Sequence, residues 1–465
     1  MPPPPAASPR LLELVRGHAE QYLKALGDRP VHASTSVDEL RAVLGGSLPE
    51  AGSDPETVVD MLAGLADTAM TASTSARFFG FVIGGALPAA MAVDMLTPVW
   101  DQNAGLFVAG PAASVAEETA HAWLIDLLGL PADASAGFVT GGQMANTTAL
   151  AIARGHVLAA AGWDVEHNGL AGGPAVTVVA GRERHSTIDR AMRFVGLGGR
   201  PVLVEVDANG GMRADALAEA LRRVRGPTIV CLQMGNVNTG ALDPVGDLAD
   251  IAHEHDAWVH VDGAFGLWAR VLPSLREQTA GTERADSWAV DAHKWLNVPY
   301  DSGLIFTAHA TSHRAATGTD HGQAAYLQFG EDGRDELEWT PEFSRRGRGL
   351  AVWAALRSLG RHGVVEMIDR CCVMARRFAE QLSETPGVTV RNDVVLNQVL
   401  VGFEGVSASD VITAVQAEGT CWPSGTIWHG ENLMRISVSN WQTVAEDVDR
   451  SVQAIVDEYR SLRNG

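Results

Sequence analysis

Four short stretches of this 465-residue chain carry residue types that could act on one ligand. Thr140-Gly141-Gly142-Gln143-Met144-Ala145-Asn146 sets two glycines before a helical pattern. A glycine turn into a helix N-terminus presents free backbone N–H groups to an anion, usually a phosphate. Arg184-His185-Ser186 puts an imidazole between an apolar run and the next helix. Trp258-Val259-His260-Val261-Asp262 ends a run on a carboxylate, which is costly to bury without a cation or a hydrogen-bond donor. Asp291-Ala292-His293-Lys294-Trp295 follows another run, and Lys294 comes 32 residues after Asp262. Each alone has a plain structural explanation: a strand–helix turn, a capping histidine, a turn aspartate, a loop lysine. Together they supply an anion cradle, an imidazole, a buried carboxylate and a nucleophilic amine.

The surrounding pattern is able to bring them to one place. Apolar runs at 176–180, 201–206, 228–234, 257–262, 287–290 and 303–306 alternate with helical patterns at 186–195, 214–224 and 244–255. Helices over 112–129 and 144–161 bracket a shorter run at 137–140. Strands of this length separated by helices predict βαβ units and a mostly parallel, buried sheet. Open parallel sheets bind ligands outside the carboxyl ends of their strands, and the cradle, Asp262 and Lys294 all fall just past such ends. The strand-end rule also places Asn236 and Asn238, in Gly235-Asn236-Val237-Asn238-Thr239-Gly240, near a cofactor or substrate, against a reading as turn chemistry. Before the sheet, residues 1–75 read as helical, with 1–9 as a disordered Pro-rich leader. After it comes a long helix over 349–384, then a β/α mix with runs at 388–390, 399–401 and 435–439 and a helix at 407–418. The expected fold class is α/β, with a large domain over 76–345 and a small α+β domain over 346–465.

Composition narrows the partners. The chain holds 35 Lys+Arg against 56 Asp+Glu, a net charge of −21. Such a field repels phosphate backbones and anionic membranes, so no nucleic-acid or membrane partner is expected. The four cysteines form no CxxC pair and no zinc spacing, so no metal site is expected and a reducing cytoplasm is the expected compartment. MPPPPAASPR lacks the basic and apolar regions of a signal peptide, and no apolar run is long enough to span a bilayer.

The order of cradle, histidine, strand-end aspartate and lysine is that of a fold-type I pyridoxal 5′-phosphate (PLP) enzyme. From about residue 76 to the C-terminus the chain resembles the group II PLP-dependent amino-acid decarboxylases, the aromatic amino-acid, tyrosine, glutamate and diaminobutyrate decarboxylase group. The stretch ending in His293-Lys294-Trp295 resembles that family's Schiff-base motif, and His260-Val261-Asp262-Gly263-Ala264 its His-Val-Asp-x-Ala motif. Residues 140–146 resemble its phosphate turn, with Gln143 where Ser or Thr is usual.

The resemblance implies a role for each position. Lys294 forms the Schiff base, Asp262 keeps the pyridine nitrogen protonated, and Gly141, Gly142 and Gln143 cradle the phosphate. His185 stacks on one ring face and Ala264 packs the other. His293 and Asp291 fall at the phosphate region, where an acidic side chain suits phosphate poorly and His293 suits it better. Tyr326, on a Gly-rich loop over 317–336, reprotonates Cα in the neighbouring subunit's site; relatives with Phe there are associated with aldehyde formation. Ser344-Arg345-Arg346-Gly347-Arg348 resembles an Arg-rich family segment whose role is structural or interfacial. Phe81, Trp100, Gln102 and Asn103 fall in segments that line the substrate pocket. Arg435 either holds a substrate carboxylate, by analogy with fold-type I relatives, or forms a structural salt bridge. The implied activity is decarboxylation of an L-amino acid, aromatic or medium-sized, to its amine and CO2 by a homodimer with shared sites. The same anchors would serve an aminotransferase or a carbon–carbon lyase.

Overall fold

The computed structural model describes residues 9–318 and 333–464. Tyr326 and residues 1–8 of the Pro-rich leader lie outside the described residues; Pro9 already opens a helix, Pro9–Ala25.

Seven strands form the central sheet: β1 Ser135–Val139, β2 Thr177–Gly181, β3 Val202–Val204, β4 Thr228–Gln233, β5 Trp258–Asp262, β6 Ser287–Asp291 and β7 Gly303–Thr307. Their order is β1-β7-β6-β5-β4-β2-β3. The strands from β2 to β6 pair in parallel, while β7 runs antiparallel to both β6 and β1. The link from Asp291 to Gly303 contains no helix, so the chain turns back beside β6 instead of crossing over. Since β7 opposes both neighbours, β1 points the same way as β6, and the carboxyl ends of β1, β2, β4, β5 and β6 meet at one edge. All five residues of β1, β5, β6 and β7 are buried, as expected for strands covered on both faces. The run expected over 201–206 shrinks to three residues at the outer edge, where β3 has β2 as its single neighbour.

A second, antiparallel sheet holds β8 Val388–Val390, β9 Gln398–Phe403, β10 Ser424–Trp428 and β11 Glu431–Ser437, in the order β10-β11-β9-β8. β10 is not legible as an apolar run; it is created by a two-residue turn, His429-Gly430, with both residues at positive φ. The long helix Gly349–Ser383 is broken at Gly360 into two segments. The helix Pro88–Trp100 also escaped the sequence pattern, because it contains Pro98 and is apolar nearly all round.

The N-terminal helices Pro9–Ala25, Val37–Leu44 and Pro55–Ala63 contain no fully buried residue. Asp54 caps the last of them, accepting from the N–H groups of Glu56 and Thr57. Beyond them, Leu26, Val31, Ala72 and Phe78 form a small core that includes Trp422. Val31 N–H donates to Gly419 O, Phe79 N–H to Trp422 O, and Ser437 N–H to Phe79 O. This stretch is therefore tied to the second sheet before the chain enters the first. Among the described residues no helix is long and apolar enough to cross a membrane.

Candidate active site

The shared carboxyl edge collects the polar residues. Past β1, Gly141 and Gly142 open the helix Gly142–Ala160. A Cβ on Gly141 would come 2.9 Å from His293 Cε1, and one on Gly142 2.8 Å from Asp291 Oδ2, so the turn must be glycine to approach β6. Past β2, His185 caps the helix Ser186–Phe194, and its Nδ1 accepts from Thr187 N–H. In the neutral imidazole this leaves the proton on Nε2. Burial lowers the His185 pKa, opposed by Asp262 and reinforced by Lys294 and Arg435, which places these groups within electrostatic range of one another.

Asp262 ends β5 only 4% exposed. Its Oδ1 accepts from Ala264 N–H at 3.2 Å and its Oδ2 from Thr187 Oγ1 at 3.4 Å. Among the described residues no cation lies within ion-pair distance of it. A buried carboxylate with two long hydrogen bonds and no cation retains capacity for a positively charged donor. Past β6, Lys294 Nζ lies 3.1 Å from Asp291 Oδ2. His293 Nδ1 accepts from Ser302 N–H, so Nε2 carries the proton, 3.5 Å from Asp291 Oδ1; the ring stacks on Tyr300 at 4.2 Å.

Arg435, on β11, is buried, and burial alone pushes its pKa down to about 10. Nη1 donates to Val237 O, Nε has no partner, and among the described residues no carboxylate pairs with it. The structural-salt-bridge alternative for Arg435 therefore finds no acid there. Gly84 packs against the Lys294 carbonyl, where a Cβ would sit 2.0 Å from the oxygen, so the 78–85 segment does pass beside the lysine. Phe81 and Val82 both have φ +58, a rare conformation for a β-branched residue, and Phe81 remains 58% exposed while leaning on Trp422.

The other expected site residues have these surroundings within the chain. Asn236 donates to Glu183 O and Gln233 Oε1 and accepts from the N–H groups of Asn238 and Thr239, which is turn chemistry. Asn103 Oδ1 accepts from Gly105 N–H and Arg345 N–H, and Gln102 Nε2 donates to Trp100 O. Gln143 Nε2 donates to Thr147 Oγ1 and, more weakly, to Thr187 O. Trp100 ends its helix half-exposed.

Two residues that organise the site have no signal in the apolar pattern. Thr187 Oγ1 lies 2.9 Å from His185 Nδ1 and bonds both Asp262 and Asn146. Asn297 Oδ1 accepts from Gly85 N–H and Trp441 N–H, tying the lysine turn to the residues after β11. A further signal lay in plain counting: of 35 basic residues only Lys24 and Lys294 are lysines.

The donor set fits PLP: a glycine-lined cradle, a buried carboxylate without a cation, an imidazole between them and one lysine beside them. The family model described as the pyridoxal-dependent decarboxylase conserved domain matches residues 39–404. The chain is 29% identical over 365 residues to the aromatic-L-amino-acid decarboxylase of Bacillus atrophaeus, covering 77% of this chain and 73% of the relative. It is 27% identical over 387 residues to the L-2,4-diaminobutyrate decarboxylase of Rhizobium meliloti (strain 1021), covering 80% and 76%. The crystal structure of Oryza sativa TDC with PLP and tryptamine superposes with a TM-score of 0.89 over the full length of both chains at 24% identity, which shows a shared fold. A family match spanning most of the chain turns the arrangement at the strand ends from a resemblance into membership: the chain belongs to the pyridoxal-dependent decarboxylases and is a PLP-dependent amino-acid decarboxylase.

Proposed function

We propose that this enzyme converts an L-amino acid, aromatic or medium-sized, to its amine and CO2, with PLP attached to Lys294. The observation that carries the attachment is the lysine count: the alternative, Lys24, sits 79% exposed on the first helix beside Glu20. PLP, when bound, supplies a ring that takes up the electron pair left when a bond to Cα breaks. The remaining work falls to the chain. Asp262 holds a proton at the pyridine nitrogen. His185 would stack on one face of that ring, and the Ala264 methyl would pack the other. Gly141 and Gly142 would offer amides to the phosphate, with His293 Nε2–H as a further donor, although Asp291 Oδ1 accepts the Gly142 N–H in this structure. Arg435, a buried cation without an acid, binds a substrate carboxylate; a carboxylate drawn out of water loses CO2 more readily. Tyr326 returns a proton to Cα.

Phe81, exposed on a strained turn in the segment whose Gly84 packs against the Lys294 carbonyl, supports a substrate with an apolar side chain. The helix Pro88–Trp100 exposes Met95, Leu96, Val99 and Trp100, an apolar stripe that supports a homodimer. Four free, buried thiols support a cytoplasmic setting.

The deciding experiment is an end-point screen of PLP-loaded protein on the twenty L-amino acids, diaminobutyrate, ornithine, DOPA and cysteate, reading amine and CO2 together. Amine with stoichiometric CO2 from one substrate is expected, with Tyr326→Phe losing amine or diverting to aldehyde. Keto acid without CO2 would overturn the reading. Borohydride reduction followed by peptide mass mapping should place the cofactor on Lys294 and not on Lys24.

A further inference from the structure

Asp291 is an acid where an anion is to be bound. It ends β6 only 2% exposed. Its Oδ1 accepts the Gly142 N–H, one of the amides at the start of the helix Gly142–Ala160, and lies 3.5 Å from His293 Nε2. Its Oδ2 lies 3.1 Å from Lys294 Nζ. One carboxylate thus engages three groups that a phosphate-bearing aldehyde would use: the cradle amide, the imidazole donor and the lysine. Helix N-terminal amides favour any anion, and here the chain supplies its own. A phosphate at this turn meets like charge across a short, buried gap, where Coulomb repulsion is least screened.

We propose that Asp291 is an internal competitor for the phosphate cradle, one that weakens the hold of the chain on its cofactor and on free phosphate alike. The proposal rests on the reading that the cradle and Lys294 hold PLP. It assigns Asp291 a positioning role, since it acts through Gly142 and Lys294. Asp291→Asn is the informative change: the amide oxygen still accepts from Gly142 N–H, while the charge is gone.

Apoprotein is prepared from the parent and from Asp291→Asn and titrated with inorganic phosphate and with PLP, following tryptophan fluorescence and the visible absorbance of the bound cofactor. Asp291→Asn should bind both roughly tenfold or more tightly, the size of one partly screened charge contact, with a melting temperature within a few degrees of the parent. Equal or weaker binding of both ligands by a variant that melts with the parent would overturn the proposal. Asp291→Glu, which restores the charge on a longer arm, should return affinity toward the parent; affinity matching Asp291→Asn would also count against the charge. Failure of the underlying reading looks different: borohydride would then leave the parent unlabelled at Lys294, whatever the Asn variant does.

Discussion

Two buried arginines, Arg435 on β11 and Arg345 bonded to the edge strand β1 through Phe138 O, share a residue type and nearly the same burial but not the same company. Arg345 Nη1 pairs with Glu117 at 2.9 Å, both side chains fully buried, and donates to Ala104 O, while Nη2 donates to Phe138 O. Glu336 lies beside them, 3.2 Å from Arg334 Nε. Arg435 has one carbonyl and no acid. The aspartates repeat the contrast. Asp286 is clasped by His309, His253 and the Val259 N–H, while Asp262 meets no cation. Burial alone therefore does not separate these residues; the presence or absence of a charged partner does. Where the protein satisfies a charge itself, the charge serves the fold. Where it does not, as at Asp262 and Arg435, the proposed function gives the charge a ligand to meet.

The contrast should separate activity from stability, most sharply at the aspartates. Asp262→Ala should lower turnover roughly 10²–10³-fold or more while the melting temperature stays within a few degrees of the parent. Asp286→Ala should do the reverse, costing about 1–3 kcal/mol from its stranded hydrogen-bond donors with turnover largely kept. Calorimetry and CO2 release on both variants check this, and matching profiles would erase the distinction. For the arginines, Arg345→Met should cost about 3–5 kcal/mol because Glu117 is left buried and unpaired. Arg435→Met should change stability by under about 1 kcal/mol and raise KM, since it strands no acid. A large loss of stability in Arg435→Met would reveal a structural role.

The smallest effect concerns pH. Burial first, and Glu117 second, push the Glu336 pKa up from 4.5 to about 8. The folded state then binds a proton that the unfolded state has already released. This contribution to stability is full below about pH 4.5 and is lost as pH rises toward about 8. Glu336→Gln should flatten the fall of melting temperature across that window by a few degrees relative to the parent. An unchanged profile would mean that the carboxyl titrates normally.

The site divides along the same line. Gly141, His185, Asp262 and Lys294 were legible because each belongs to a local rule: a glycine turn before a helix, a helix cap, a strand ending on a polar residue. Asn236 obeyed the same strand-end rule, and its side chain bonds both its own turn, through Asn238 N–H and Thr239 N–H, and Glu183 O past β2. Asn103 and Gln102, read as pocket residues, also bond backbone of their own chain. Thr187 and Asn297 escaped notice because their importance lies in partners far along the chain, Asp262 for one and Gly85 and Trp441 for the other.

The amino-acid sequence by itself determined the alternation of strands and helices, the chain order of the anchoring residues and the cofactor they suit. These depend on periodicity and on short spacings, which a local stretch of chain carries whole. The tertiary structure decided that β7 slips in reverse between β6 and β1, that a turn at His429-Gly430 makes a strand of Ser424–Trp428, and which buried charges find a partner. Pairing is a property of two distant residues brought within a few ångströms, so no window of sequence contains it.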